Sequence, residues 1–316
     1  MILKQADDRS RRVALLRELQ QSTNLDAFQR NWLRDELQRL ERGIQGERDA
    51  AHYIDNVFRN SDKIAVIHDL RISVDGEVAQ IDHLLVHRAL RFYLLESKNY
   101  NGNVQINDRG EFSVSYGQER LYGIESPLEQ SRRHERVLRR LLDKLGIAGR
   151  GGLPLTFHHA VLFHPRAVIT RPDRKAFDSD NVIKADQIGT WIQAYNDKDL
   201  AGLSVLGAVM NLHSMEATQG WAEQLIGCHR PAPLFELPEF MKPKAAPVQP
   251  PSQPLPTPPL ASPPVDQPAA PDESLRRKLI CVTCHQKISF AEGKFCWSNE
   301  KRFGGFQYCR AHQAGL

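Results

Sequence analysis

Cysteine is nearly missing from the body of this chain: of five cysteines, four lie after residue 280. That distribution argues against a disulfide framework. The late four have metal-ligand spacing, which suits a reducing, cytoplasmic setting. Long hydrophobic runs are missing too. The longest weakly polar stretch, Ala201 to Leu212, is too short to span a bilayer. Residues 1 to 20 are charged throughout, so neither a secretory leader nor a membrane partner is expected. Charge of one sign is not dominant: 42 Lys and Arg offset 38 Asp and Glu, and a net charge of +4 does not by itself mark a nucleic-acid binder. Proline is scarce except in one place, since fifteen of nineteen fall between Pro231 and Pro271.

What is present fits a soluble globular protein of ordinary apolar and charged content, long enough for one substantial domain and a smaller one. The proline-rich stretch, with Ala, Gln and Ser between the prolines, cannot pack a core. It reads as an extended, semi-rigid linker. The expected division is an N-terminal helical extension over 1–43, an α/β domain over 44–230, the linker over 231–273 and a small module over 274–316.

Ala79 to Tyr100 organises the larger domain. Both arms are rich in Ile, Leu, Val, Phe and Tyr around a short break at His87 to Leu90, which predicts a β-hairpin. With the turn centred on Ala89, Asp82 lies seven residues before it and Glu96 seven after, so the two carboxylates face each other. Opposed side chains sit about 5 Å apart at Cβ, and like charges there are destabilising. A divalent cation would remove that cost, because hard cations prefer carboxylate oxygens. Lys98, two residues beyond Glu96, projects from the same face. It would sit where phosphodiester hydrolysis needs a group to orient water or stabilise negative charge. The plainer alternative is a charged, solvated strand face.

Upstream, residues 8 to 42 read as two helices broken near Ser22-Thr23-Asn24, and Gly46 to Phe58 as a third. Glu47 shares the apolar face of that third helix. It is either a first-turn carboxylate favoured by the helix dipole or a third acid reaching Asp82 and Glu96. Asp75-Gly76 marks a second hairpin, between Ile64–Ser73 and Val78–His87, so three strands run in a meander. Val104–Ile106 and Phe112–Tyr116 form a further small hairpin. Ser126-Pro127-Leu128-Glu129 is a capping box opening a basic helix to about Leu145. Gln130 in its first turn can reach the site or a phosphate, and its arginines are either a solvated face or phosphate contacts. Phe157–Phe163 and Val182–Lys184 read as strands, Asp186–Tyr195 and Leu203–Ile226 as helices.

In the last module, Cys281-x2-Cys284 and Cys309-x2-His312 form two knuckle-like pairs, the spacing of a zinc ribbon. Phe290, Phe295, Trp297, Phe303, Phe306 and Tyr308 supply a small aromatic core. A segment this short rarely folds without a metal or a disulfide. Cys296 and His285 are rival ligands. Eight Lys and Arg against two Glu over 274–316 suit nucleic-acid contact.

Four motifs carry a resemblance: Gly46-Glu47-Arg48, Gln80-Ile81-Asp82-His83, Glu96-Ser97-Lys98 and Pro127-Leu128-Glu129-Gln130. From Gly46 to about Leu142 the chain resembles the NERD (nuclease-related domain) family of the PD-(D/E)XK restriction-endonuclease-like superfamily. Ile81 stands where the superfamily has proline before the aspartate. The resemblance implies a core of helix, three-stranded meander, helix and strand, and a Mg²⁺-dependent (or Mn²⁺-dependent) DNA nuclease. Glu47, Asp82 and Glu96 would be its metal-linked acids, Lys98 its catalytic lysine and Gln130 a supporting residue. Some NERD-like proteins also carry a C-terminal zinc ribbon. DNA is the expected partner, with other DNA-processing proteins as further candidates. The alternative is a non-catalytic nucleic-acid-binding or adaptor protein that keeps the fold.

Overall fold

In the computed structural model, the described residues are 1–100, 102–117, 120–199, 210–234, 237–241 and 278–313. Most of the linker expected over 231–273 lies outside them, but its first part, 231–234 and 237–241, is described. The chain divides into two compact units, Met1–Ala246 and Pro247–Leu316.

The first unit is a mixed α/β fold around a six-stranded sheet of order β1-β2-β3-β4-β8-β10. Strands β2 (Ile64–Val74), β3 (Glu77–His87) and β4 (Arg91–Lys98) form the antiparallel meander. Helix α3 (Pro127–Lys144) then returns the chain to β8 (Thr156–Phe163), parallel to β4. Edge strands β1 (Ile2–Lys4) and β10 (Val182–Lys184) pair in parallel with β2 and β8. Apolar side chains fill both faces. On one, Ile67, Leu84 and Leu94 pack against Leu138 and Leu142 of α3 and Leu225 of a later helix. On the other, Leu85, Tyr93 and Leu162 pack against Ala50, Ile54 and Trp191. Strands buried on both faces lose simple alternation, which is why these segments read as near-continuous apolar runs.

The N-terminal helices depart from expectation. The break near Ser22 is present, between α1 (Ser10–Gln20) and α2 (Ala27–Phe58). The second and third expected helices, however, are one continuous helix of 32 residues, so the division expected at residue 43 falls inside α2. Its single start is at Asp26, whose side chain accepts from Gln29 N while the Gln29 side chain accepts from Asp26 N. No cap interrupts it at Gly43 or Gly46, and an interior glycine only weakens a helix. Gly46 serves close approach instead: a Cβ there would lie 2.6 Å from Asn99 Cβ, just beyond β4. Leu237 and Met241 return to pack on Leu16, Leu33 and Leu37 of the helical pair, and Gln29 Nε2 donates to Phe240 O.

The small hairpin of β5 (Asn103–Ile106) and β6 (Phe112–Ser115) grows into a four-stranded sheet with β7 (Leu121–Ile124) and β9 (Ile169–Thr170). Of the added strands, β9 is only two residues long and β7 carries a glycine, so neither signals itself in sequence. Helix α4 (Ile188–Asp199) follows β10. Of the helix expected over Leu203–Ile226, Met210 is helical, but the chain leaves the helix over 211–214 and restarts at α5 (Met215–Gly227), where Ser214 caps through Ala217 N. Residues 200–209 lie outside the described residues.

In the second unit the regular structure of the described residues, 278–313, is mainly helical. The unit carries α6 (Phe290–Ser298), α7 (Glu300–Phe303) and α8 (Arg310–Gln313), with one isolated bridge between Ile280 and Lys287. The cause is visible in sequence: Ser289 and Glu292 form a reciprocal capping box that starts a helix where a ribbon would continue a strand. Phe303, Phe306 and Tyr308 are buried with Cys296. Phe290 and Phe295 are exposed and sit at the edge of this core, their rings against Trp297 and Phe303.

Candidate functional site

The meander builds the site by coming apart. Strands β3 and β4 pair from His87↔Arg91 to His83↔Leu95, and the pairing stops there. Asp82 sits one step further, in the fork. Its carboxylate does not simply face Glu96 across a ladder. Asp82 Oδ2 accepts from the Ser97 backbone N–H and from Ser97 Oγ, both at 2.8 Å. Glu96, buried, and Lys98 lie on β4, with Lys98 Nζ 2.7 Å from Glu96 Oε1. Gln130, from the first turn of α3, accepts a hydrogen bond from Lys98 Nζ at 3.1 Å. Glu47 comes from α2, brought in by the contact of Gly46 with Asn99. Glu47, Asp82, Glu96, Lys98 and Gln130 line one cleft of about 660 Å³, walled also by Arg39 and Arg42 of α2 and by Tyr116.

Crowded acids of this kind resist ionisation. Burial and the charge of Asp82 raise Glu96 to about 8, against the pull of Lys98. Burial and Asp82 raise Glu47 to about 7, opposed by Arg9. Asp82 is raised as well, first by burial, although Lys98 and the Ser97 hydrogen bonds work against it. Burial alone would lower Lys98, but Glu96 and Asp82 outweigh it and hold the ammonium above its ordinary range. His134, whose Nδ1 stands 3.9 Å from Glu96 Oε2, is driven down to about 4 by burial and by Arg133 and Lys98, and is neutral near pH 7.

This donor set fits a hard divalent cation. Among the described residues, Asp82 Oδ1 and Glu96 Oε2 take no hydrogen bond, leaving one oxygen of each carboxylate available. Glu47 differs, because both of its oxygens are held by Arg9, at 3.0 and 2.9 Å. Among the described residues the acids of the cleft are not gathered as tightly as the cysteine–histidine group described below.

Several residues of this neighbourhood have no sequence signal. Arg9 precedes α1 and also reaches Asp69 Oδ1, at 3.0 Å. Asp69 interrupts β2 with a φ of 51°, a left-handed conformation that Asp tolerates better than most residues. Behind them runs a buried chain in which Asp55 Oδ1 is 2.9 Å from His68 Nε2 and His68 Nδ1 is 2.7 Å from His83 Nδ1. Burial holds both imidazoles below their ordinary pKa. The arginines of α3 are mostly committed within the fold: Arg133 to Glu125, Arg139 to Glu135 and Arg140 to Glu77. That favours a solvated, ion-paired face for this helix over a row of free phosphate contacts.

In the second unit, Cys281, Cys284, Cys309 and His312 bring one donor atom each to within 4.8 Å of one another, and this cluster can bind a metal such as zinc. Burial would push the Cys281 thiol up, but hydrogen bonds from the backbone of Cys309, Cys284 and Thr283 bring it down to about 6. The rival ligands stand apart. Cys296 Sγ is in the core, accepting from Tyr308 N, and His285 is exposed in a turn.

Among known families, the model of the nuclease-related domain matches residues 42–164, a span that contains Glu47, Asp82, Glu96, Lys98 and Gln130. No curated protein and no solved structure gives a significant match.

Proposed function

We propose that the protein is a divalent-metal-dependent nuclease of PD-(D/E)XK type that hydrolyses DNA phosphodiester bonds, with its C-terminal metal module aiding nucleic-acid binding. The observation that carries this reading is the joint placement of Asp82 in the β3–β4 fork and of Glu96 and Lys98 on β4, inside the span matched by the nuclease-related domain.

Asp82 and Glu96 would hold Mg²⁺ or Mn²⁺, with Glu47 as the third acid of the set. Once bound, such an ion neutralises the scissile phosphate and lowers the pKa of a coordinated water. The chain's own part is positional. Ser97 fixes the Asp82 carboxylate by two hydrogen bonds. Glu96 and Gln130 fix the Lys98 ammonium. A charged ammonium so held can orient the attacking water and stabilise charge that develops in the transition state. The C-terminal tether would raise the local concentration of DNA at the cleft without adding catalytic contacts.

The test is Mg²⁺-dependent cleavage of linear, circular, single-stranded and branched DNA. Asp82→Ala should abolish cleavage together with metal binding. Lys98→Ala should keep metal and lose rate by roughly 10²-fold or more, as typical for a transition-state donor. A Lys98→Ala protein that cuts at the wild-type rate, or an Asp82→Ala protein that still cuts, overturns the assignment.

A further inference from the structure

Among the described residues, Glu47 is the one carboxylate lining the cleft whose two oxygens are both engaged. The Arg9 guanidinium meets them as a fork, Nη1 to Oε1 and Nη2 to Oε2, and Nη2 also reaches Asp69 Oδ1. This arginine is not a loose surface side chain. It ends a segment pinned to the sheet edge, where Lys4 Nζ donates to His68 O and Asp69 O, Asp7 N donates to Asp69 Oδ2, and His229 Nε2 lies 2.8 Å from Asp7 Oδ2. Guanidinium does not lose its proton in proteins, so the charge is permanent. Asp69, the further acid behind Glu47, is likewise satisfied, by Arg9, Gln80 and Asp7.

The other acids at the centre of the cleft are arranged differently. Lys98 is a point charge bonded to one oxygen of Glu96, and each of Asp82 and Glu96 keeps an oxygen without a hydrogen-bond partner among the described residues. A second divalent ion beside Glu47 would have to share its oxygens with a fixed positive charge at hydrogen-bond range. An ion between Asp82 and Glu96 would also feel Lys98, but it could bind through oxygens that the ammonium does not occupy.

We infer that Arg9 is a built-in cation at the Glu47 end of the acid cluster, so that the protein holds a single divalent ion, between Asp82 and Glu96, and Glu47 acts without ligating it. The inference rests on the metal-dependent reading above and is separable from it, because its readout is the number of ions and not cleavage.

The experiment is a Mn²⁺ titration of the full-length, zinc-loaded chain, counting bound ions from the loss of the free Mn²⁺ signal in electron paramagnetic resonance. The wild type should bind one Mn²⁺. Arg9→Met keeps an apolar stem but removes the charge, and should bind two. Arg9→Lys keeps the charge without the fork and should bind one. Glu47→Gln, made in the otherwise wild-type chain, should still bind one with affinity changed by no more than a few fold, and it tests the idea even if Arg9→Met does not fold. Two ions in the wild type, one ion in a folded Arg9→Met, or none in Glu47→Gln each overturn the inference. A wild type that binds no Mn²⁺ brings down the metal-dependent reading itself, and this inference with it.

Discussion

Ser97 holds Asp82 with both of its donors, since its backbone N–H and its hydroxyl each lie 2.8 Å from the same carboxylate oxygen. The opening of the β3–β4 fork makes this possible, because a paired strand would spend that N–H on its neighbour. Ser97→Ala keeps the backbone bond and deletes the hydroxyl. Outer-shell partners of metal ligands typically contribute 10- to 100-fold in affinity, so Mn²⁺ affinity should fall by about tenfold. An unchanged affinity would mean that the backbone N–H alone orients Asp82.

Gly46→Ala sets two effects of opposite sign against each other. Alanine gains about 1 kcal/mol of helix propensity over glycine. The added methyl would lie 2.6 Å from Asn99 Cβ, an atom too close to the backbone to swing away. Overpacking typically costs about 1–3 kcal/mol. The variant should therefore be neutral to destabilised in thermal denaturation, and cleavage should fall by more than the stability change explains, because α2 is pushed off β4 together with Glu47. A variant more stable than wild type with full activity would contradict this.

Without a divalent ion, the cleft should make the protein less stable as pH rises from 6.5 to 8.5. Glu96 titrates near 8 and Glu47 near 7 in the fold, against 4.5 when unfolded. The folded state therefore binds more protons in that window, and stability falls with rising pH. His134 and His87, depressed to about 4 from 6.5, act in the opposite sense, but only below pH 6.5. The amino terminus of Met1, lowered from 8.0 by burial, and the Cys281 thiol, lowered from 9.0 to about 6, also oppose the trend. The difference between wild type and Glu96→Gln isolates the carboxylate, and melting temperature against pH reads it. Wild type should lose stability relative to Glu96→Gln above pH 6.5, and added Mg²⁺ should flatten that difference. Parallel curves would refute the assignment of Glu96.

Removing zinc should unfold residues 278–313 and leave the larger unit folded. The small core around Phe303, Phe306 and Tyr308 is too slight to stand alone, and metal binding by such a module is its folding energy. Chelator should collapse the dispersed amide spectrum of this module only, and Cys309→Ser should do the same without chelator. A module that keeps its dispersion in strong chelator would show that the aromatic core suffices.

The residues that could be read from sequence are those tied to regular spacing. The turn at Ala89 set the register of Asp82 and Glu96, alternation placed Lys98 beside Glu96, and the helix start at Ser126 put Gln130 in a first turn. What escaped has no local signal. Arg9 is one arginine among several in a charged stretch, and it is the pairing of β1 with β2 and the contacts of Lys4 and Asp7 that carry it to Glu47. Asp69 sits within an apolar strand in a conformation that its neighbours do not announce. The helical character of the last unit was legible, since Ser289 and Glu292 have capping-box spacing, but the cysteine spacing suggested a ribbon instead. A separate helix is expected from Gly46 because the contact that explains this glycine comes from Asn99, far along the chain.

The continuity of α2 has a consequence for how this protein can change in length. Leu33 and Leu37 near one end pack on α1, while Glu47, Ala50 and Ile54 toward the other face the cleft and the sheet. Both sets hang from one screw axis. Each residue turns an α-helix by about 100°, so a single insertion between Leu40 and Gly46 would swing the leucines off α1 or Glu47 out of the cleft. Three or four residues together would nearly restore the phase. The spacing between the helical pair and Glu47 is thus quantised in whole turns, and evolution of the N-terminal extension is geared to the acid it carries.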